Sequence, residues 1–132
     1  MKLITYTDGG ARDNPGPAAT GIVIKDEHGQ TIAAYGEYLG EQTNNYAEYR
    51  AIISALKKSK ELGATEVECL ADSKLVVEQL NGRWKVREPA LQKLFVQAWN
   101  AKQVFRKVTI RHIRRENNRE ADREVNKVLD SR

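Results

Sequence analysis

The stretch that decides the fold is KLITYTD, residues 2–8, an apolar, β-forming run that ends on an acid, Asp8. Residues 67–72, VECLAD, repeat this arrangement and place Asp72 after a second apolar run. Both runs have the composition of core strands. A buried carboxylate is costly unless it is paired, protonated or bound to a cation. The two acids therefore indicate a shared functional site.

Two more acids fall on the apolar faces of predicted helices. Glu48 precedes Ile52 by four positions, so the two side chains share one helix face. Asp122 shares a face with Val125 and Leu129 on the last predicted helix. We therefore expect both acids to point toward the interior.

The four acids converge if the strands ending on Asp8 and Asp72 are neighbours, because α/β sheets bind ligands at the carboxyl edge of their strands. A single acid could simply be a surface turn, an ion-pair partner or, for Asp72, a helix cap. If the acids did not share a site, a separate explanation of this kind would be needed for each of the four. Clustered oxygen ligands without cysteine or paired histidine favour Mg²⁺ or Mn²⁺ over zinc. Two such ions about 3.5–4 Å apart are a common device for phosphoryl displacement.

The hydrophobic periodicity predicts one α/β domain over residues 1–132, with the element order βββαβααβα. The first three strands are expected to form an antiparallel meander. Predicted strands cover 2–8, 18–25, 31–38, 66–70 and 107–113. Predicted helices run from the Thr43 cap to near Gly63, from 73 to 80, from Pro89 onward, and from about 117 to the end.

Charge is unevenly distributed along the 132 residues, whose net charge is +4. Residues 1–66 carry −2 and residues 67–132 carry +6. This bias suits a polyanion such as nucleic acid, although a solvated basic face would show the same composition. No membrane span or signal peptide is evident, and a lone Cys69 excludes an internal disulfide. We expect a cytoplasmic monomer without a membrane partner.

Four motifs resemble those of type 1 ribonuclease H, in that family's order and spacing. They are 7–10 (TDGG) with 14–17 (NPGP), 43–48 (TNNYAE), 72–73 (DS) and 118–122 (NREAD). The resemblance implies the ribonuclease H-like fold, a five-stranded mixed sheet with flanking helices. It also implies hydrolysis of the RNA strand of RNA/DNA hybrids, leaving 5′-phosphate and 3′-hydroxyl ends. The implied cofactor is a pair of Mg²⁺ ions, with Mn²⁺ as a substitute.

The same resemblance assigns roles to individual residues. Asp8 would bridge both ions, Glu48 and Asp72 would hold the second, and Asp122 would hold the first. The implied substrate contacts are Asn14, Asn44 and Asn45 to the RNA 2′-hydroxyls, Thr43 to a DNA phosphate, and Asn118. Turn and cap chemistry would also account for Asn14, Asn44 and Thr43.

The chain departs from many family members in two places. Only residues 81–87 stand where others carry a long basic protrusion, so hybrid affinity is expected to rest on this segment. Its Trp84 either packs on the DNA strand or belongs to the core. The loop before the last helix is short and lacks histidine. Arg115 is the candidate there for holding a phosphate, whereas His112 falls within a predicted strand.

Three other functions are compatible with parts of this sequence. A hybrid-binding module without catalysis would not need four clustered acids, which repel phosphate unless a cation neutralises them. A related nuclease, such as an integrase, a resolvase-like enzyme or one that also cuts double-stranded RNA, would share the acids. A nucleotide-binding α/β protein is disfavoured because residues 8–10 are no GxGxxG motif and no helix follows them directly.

Overall fold

The computed structural model describes residues 1–132 in full. Its element order is the predicted one, with one short 3₁₀ helix added before the last α-helix. The strands are β1 (Lys2–Ala11), β2 (Gly16–Lys25), β3 (Thr31–Gln42), β4 (Glu66–Ala71) and β5 (Lys107–His112). The helices are α1 (Asn44–Glu61), α2 (Lys74–Leu80), α3 (Pro89–Lys102) and α4 (Arg119–Asp130), and the 3₁₀ helix covers Arg115–Asn117.

The five strands form one mixed sheet in the order β3-β2-β1-β4-β5. Strands β1, β2 and β3 pair antiparallel, which confirms the predicted meander. Strand β4 pairs parallel with both β1 and β5. Thr7 lies opposite Ala71, so Asp8 and Asp72 are the next residues along two neighbouring parallel strands. The adjacency on which the predicted site depended is confirmed.

The sheet is covered by helices on both faces. Neighbouring strand residues point to opposite faces, and the β carbons that Gly9 and Gly10 lack would point at α1 and α4 respectively. The face bearing α1, α2 and α3 holds a core of 21 buried residues. The α4 face holds only a small cluster, formed by Ala19, Val125 and Leu129. Helix α4 therefore relies on few apolar contacts for its attachment.

Several element boundaries differ from the predicted ones. Strands β1 and β3 run three and four residues past their predicted ends at Asp8 and Tyr38. Glycines follow both predicted ends, and glycine normally weakens a strand, so the sequence predicts that the strand stops there. Pairing with the neighbouring strand nevertheless continues both strands. The predicted apolar stripe of α3 is narrower than expected, because Trp99 is 50% exposed. None of the helices has the length and apolar content needed to cross a membrane.

Candidate active site

Two neighbouring parallel strands place the first two carboxylates of the site. Asp8 lies within β1, and Asp72 directly follows β4, which pairs with it in parallel. One carboxylate oxygen each from Asp8, Asp72 and Glu48 lie within 4.8 Å of one another. Three acids from distant parts of the sequence therefore form one cluster.

Gly9 lets α1 bring Glu48 into this cluster. A β carbon on Gly9 would lie 2.2 Å from the carbonyl carbon of Ala47, a distance that no side chain can occupy. The bare backbone instead donates a hydrogen bond from Gly9 N to Glu48 Oε1. The glycine thus permits the close approach of strand and helix and also fixes the carboxylate that the approach delivers.

Asp122 reaches the site on α4, from the opposite face of the sheet. Its helix lies directly against Gly21, where a β carbon would be 2.0 Å from the carbonyl oxygen of Ala121. Asp122 itself is exposed, so the expectation that it lies on the apolar face of its helix is wrong. Asp122 lies at the edge of that face, because the buried residues of α4 are Ala121, Val125 and Leu129, and Asp122 is one position after the first of them.

Ion pairs help to hold α4 where its apolar contacts are few. Arg12 pairs with Asp130 near the end of the helix, and Lys25 pairs with Glu120 in its first turn at 2.7 Å. The first pair links α4 to the turn that follows β1, and the second links α4 to the last residue of β2. Exposed pairs of this kind each contribute little, about 0.2–1 kcal/mol.

Without a bound cation, the neighbouring carboxylates of the site repel one another. The pKa of Asp8 is raised from 3.8 to about 7, chiefly by burial; the charges of Asp72 and Asp122 contribute to the rise, and a hydrogen bond with Glu48 opposes it. Burial raises the pKa of Glu48 well above its usual range, and the neighbouring Asp8 charge adds to the rise. Such a set of hard oxygen donors, without sulfur or imidazole, fits a divalent cation.

All four acids line one open cleft of about 360 Å³, as predicted. Arg115, on the 3₁₀ helix, lines the same cleft. Asn44 and Asn45, at the start of α1, form part of its wall. A larger groove of about 560 Å³ between β3, α1 and α3 contains none of the predicted site residues.

The predicted asparagine contacts divide into two kinds. Asn14 Oδ1 accepts from the backbone N of Asn44, and Asn44 Oδ1 accepts from the backbone N of Ala11, at 2.9 and 2.8 Å. These two bonds tie the end of β1 and the turn after it to the start of α1. Asn45 lines the cleft, and its side chain makes no hydrogen bond within the protein. Thr43 caps α1 through a bond from Tyr46 N and is exposed.

Asn118, predicted as a substrate contact, has a different environment. It is 1% exposed, so its side chain is closed off from any ligand in the cleft. Its Nδ2 donates to the carbonyl of Thr7 at 2.8 Å and to Asp72 Oδ2 at 3.0 Å. The structure therefore corrects this prediction. Sequence reasoning located the residue through its motif but could not show that it points inward.

Two other candidates lie outside the acid cluster. Trp84 is 45% exposed, which rules out its alternative interpretation as a core residue. His112 ends β5, and its Nε2 lies 3.3 Å from the backbone oxygen of Asp72. The imidazole is thus close to an acid of the site through its backbone, a proximity that the parallel pairing of β4 and β5 creates.

Comparison with known proteins agrees with this geometry. A family model described as reverse transcriptase-like matches residues 6–128. The ribonuclease HI of Halobacterium salinarum is 40% identical over 129 residues, which cover 98% of this chain and 65% of that protein. The crystal structure of RNase H1 from that archaeon superposes with a TM-score of 0.98 at 38% identity, over all of both chains.

The chain belongs to the ribonuclease H family. Among its relatives in this family, the N-terminal RNase H domain of a Mycobacterium tuberculosis protein has a TM-score of 0.93 and 44% identity, over 96% of this chain and 98% of that one. LC11-RNase H1, solved in complex with an RNA/DNA hybrid, also has a TM-score of 0.93 and 44% identity, over 98% and 97%.

This chain is shorter than some of these relatives. A bifunctional protein of M. tuberculosis is 46% identical over 132 residues, which are 99% of this chain but 36% of that protein. The chain thus spans about a third of the mycobacterial relative and about two thirds of the halobacterial one.

Proposed function

We propose that this chain hydrolyses the RNA strand of RNA/DNA hybrids, leaving 5′-phosphate and 3′-hydroxyl ends. The observation that carries the proposal is the convergence of Asp8, Glu48, Asp72 and Asp122 in one open cleft. Support comes from the ribonucleases H it resembles, one of which, LC11-RNase H1, was solved with an RNA/DNA hybrid. An open cleft suits a polymeric substrate, which has to lie across the surface.

The proposed cofactor is Mg²⁺, two ions per site, with Mn²⁺ as a substitute. Asp8, Glu48 and Asp72 form the compact part of the donor set, and Asp122 joins it from α4. When bound, such cations activate water and stabilise the leaving oxygen of an in-line displacement. Asp8 and Glu48, whose side chains are buried, would bind the cations once their carboxyl groups are deprotonated.

Substrate recognition is proposed to rest on the start of α1. The Asn45 amide lines the cleft and is free of protein partners, and it can both donate to and accept from a ribose 2′-hydroxyl. Asn44 also lines the cleft, although its Oδ1 is already bound by Ala11 N. Asn14 supports this wall by holding the Asn44 backbone. Thr43, exposed at the helix start, is the proposed contact to a DNA phosphate.

Arg115 is proposed to hold the scissile or product phosphate. Arg115 lines the same cleft as the acids, and a guanidinium binds phosphate oxygens in a bidentate manner. Arg115 therefore positions and stabilises charge, and it does not act as the base. For this reason its loss should slow the reaction without abolishing it.

The binding loop, residues 83–87, is the proposed second contact to the hybrid. It carries three basic residues around the exposed Trp84. Gln79 Nε2 donates to the carbonyl of Lys85 at 3.2 Å, and Gln92 Nε2 donates to the carbonyl of Val86 at 2.9 Å. Arg83 is held against Glu78. The loop is thus ordered before substrate arrives, which lowers the entropic cost of binding.

A binding module without catalysis is the alternative in a different functional class. The four acids weigh against it, because a hybrid-binding surface gains nothing from clustered negative charge. A nuclease of this fold that also cuts double-stranded RNA would use the same acids, and only substrate comparison separates it. Monomeric state and cytoplasmic location stay predictions from the sequence.

The test is cleavage of a labelled RNA/DNA hybrid beside matched single-stranded RNA, double-stranded RNA and DNA, with Mg²⁺, Mn²⁺ or chelator. We expect cation-dependent cutting of the hybrid RNA alone, which Asp8→Asn abolishes. Asp26→Asn is the matched control, because Asp26 lies in the exposed 26–30 hairpin turn and asparagine retains its capping oxygen. Hybrid binding without cutting at any cation concentration would favour the binding module.

A further inference from the structure

One buried asparagine contacts every element that carries an acid of the site except α1. Asn118 Nδ2 donates to Thr7 O on β1, the residue before Asp8, and to Asp72 Oδ2 after β4. Its backbone oxygen accepts from Asp122 N at 3.1 Å, which is the first helical bond of α4. Its backbone N donates to Arg115 O at 3.0 Å. Asn118 is thus hydrogen-bonded to Asp72, to Asp122, to the residue before Asp8 and to Arg115.

The orientation of this side chain follows from its neighbours. Both groups in front of Nδ2 are acceptors, a carbonyl and a carboxylate, so only the amide nitrogen can face them. The two hydrogens of Nδ2 are therefore both used. Asp72 Oδ1 accepts no hydrogen bond from the protein, so one oxygen of that carboxylate is held while the other is available to a ligand.

Local helix chemistry does not explain the arrangement. Asn118 is the N-cap residue of α4, where an asparagine side chain normally accepts from the N–H two or three residues ahead. Here no such bond forms, because the side chain turns into the protein instead. The residue is 1% exposed, which also separates it from a substrate lying in the cleft.

We propose that Asn118 is a positioning residue, whose amide holds the Asp72 carboxylate against β1 in the orientation that binds the cation. The inference rests on the proposed function only for its kinetic readout. Partners of ligating carboxylates in other metal sites typically change metal affinity or activity about 10- to 100-fold when removed. The Asn118 amide is a hydrogen-bond partner of this kind for the Asp72 carboxylate.

The first test is calorimetric titration of Mn²⁺ into the purified chain and into Asn118→Ala. We expect the variant to bind Mn²⁺ about 10- to 100-fold more weakly, and to lower kcat on hybrid while the KM for hybrid changes little. Gln103→Ala is the matched control, since Gln103 Nε2 likewise donates to a backbone carbonyl, that of Trp99, but contacts no acid. That control should keep both Mn²⁺ affinity and kcat.

Outcomes separate this inference from the proposed function. Unchanged Mn²⁺ affinity in a folded Asn118→Ala variant would overturn the positioning role. Mn²⁺ binding that depends on Asn118, in a chain that cuts no hybrid, would overturn the function and leave the positioning role intact. A raised KM with normal kcat and Mn²⁺ affinity would overturn the inference in favour of a substrate contact.

A measurement on the unmodified chain covers the case in which Asn118→Ala does not fold. Both Nδ2 protons are buried and bonded, so their NMR signals should exchange with solvent far more slowly than those of the exposed Asn100 amide. Slow exchange is the expected result. Exchange as fast as that of Asn100 would mean that the amide is not held between Thr7 and Asp72, and it would overturn the proposal.

Discussion

The backbone N–H of Gly9 donates a hydrogen bond to Oε1 of Glu48, so the residue that follows Asp8 orients the carboxylate of Glu48. The contact exists because strand β1 and helix α1 touch backbone to backbone at this point. A side chain here would separate them. The geometry of the acid cluster is therefore set by the absence of a β carbon as much as by the carboxylates.

Replacement of Gly9 by alanine should damage both the fold and the site. The added β carbon would lie 2.2 Å from Ala47 C and 2.3 Å from Glu48 N, both backbone atoms that cannot move aside independently. Overpacking of this kind costs about 1–3 kcal/mol or more. We expect a lower midpoint of chemical unfolding and loss of hybrid cleavage. Gly10→Ala is the control for stability, since its β carbon would meet only Val125 Cγ1, at 3.6 Å.

The stability of the cation-free protein should fall as pH rises. Burial raises the pKa of Asp8 from 3.8 to about 7 in the folded chain, so the folded state binds this proton more tightly than the unfolded state. The stabilisation is complete below pH 3.8 and is lost as pH rises through about 7. Glu48 acts in the same direction. Thermal unfolding with chelator should show wild type losing stability relative to Asp8→Asn between pH 5 and 8.

Divalent cation should reverse this trend, because it binds the deprotonated acids of the folded chain. Repeating the melts with Mg²⁺ at pH 8 should raise the wild-type midpoint and leave that of Asp8→Asn nearly unchanged. A constant difference between the two proteins at every pH in chelator would show that Asp8 titrates normally.

Loss of the Arg115 guanidinium should slow cleavage modestly. Arg115→Ala removes a positive charge from the wall of the acid cleft but leaves all four acids in place. We expect kcat to fall about tenfold, in the range of a lost charge-assisted hydrogen bond, whereas Asp8→Asn should abolish activity. Arg114→Ala is the control, because Arg114 pairs with Glu116 and lies outside the cleft. Equal rates for Arg115→Ala and wild type would refute the assignment.

Gln79 should matter for hybrid binding although it does not line the acid cleft. It is buried, accepts from the Tyr49 hydroxyl at 2.6 Å and donates to the carbonyl of Lys85 in the binding loop. Gln79→Leu leaves the buried Tyr49 hydroxyl without its acceptor, at a cost of about 1–3 kcal/mol, and also releases the carbonyl of the exposed Lys85. We expect a higher KM for hybrid, with kcat changed less, and a lower unfolding midpoint.

The matched control for that change is Gln97→Leu, an exposed glutamine on α3 whose amide makes no hydrogen bond. It should leave KM and the unfolding midpoint unchanged. If Gln79→Leu destabilises the chain but binds hybrid normally, the 83–87 loop is not a substrate contact.

Much of the fold was predictable because its signals are local. Apolar alternation over 2–8, the Thr43 cap and the Pro89 start each follow from chain chemistry within a few residues, and the structure confirms the elements they predict. The same holds for Asp8 and Asp72, whose position after an apolar run is visible in the sequence. Boundaries near glycines, such as the end of β1, were less accurate because pairing with a distant strand decides them.

The sequence by itself therefore determined the element order, the identity of the four acids and the family to which the chain belongs. Only the tertiary structure decided how those acids are held. Asp122 proved exposed, Asn118 proved buried and turned toward Asp72, and Gln79 proved to anchor a loop. Each of these depends on how side chains pack in the folded chain: Asn118 reaches Asp72 across 46 positions of sequence, and the buried Gln79 meets Tyr49 across 30. Periodicity along one helix or strand carries no information about such contacts, because packing against other elements sets them.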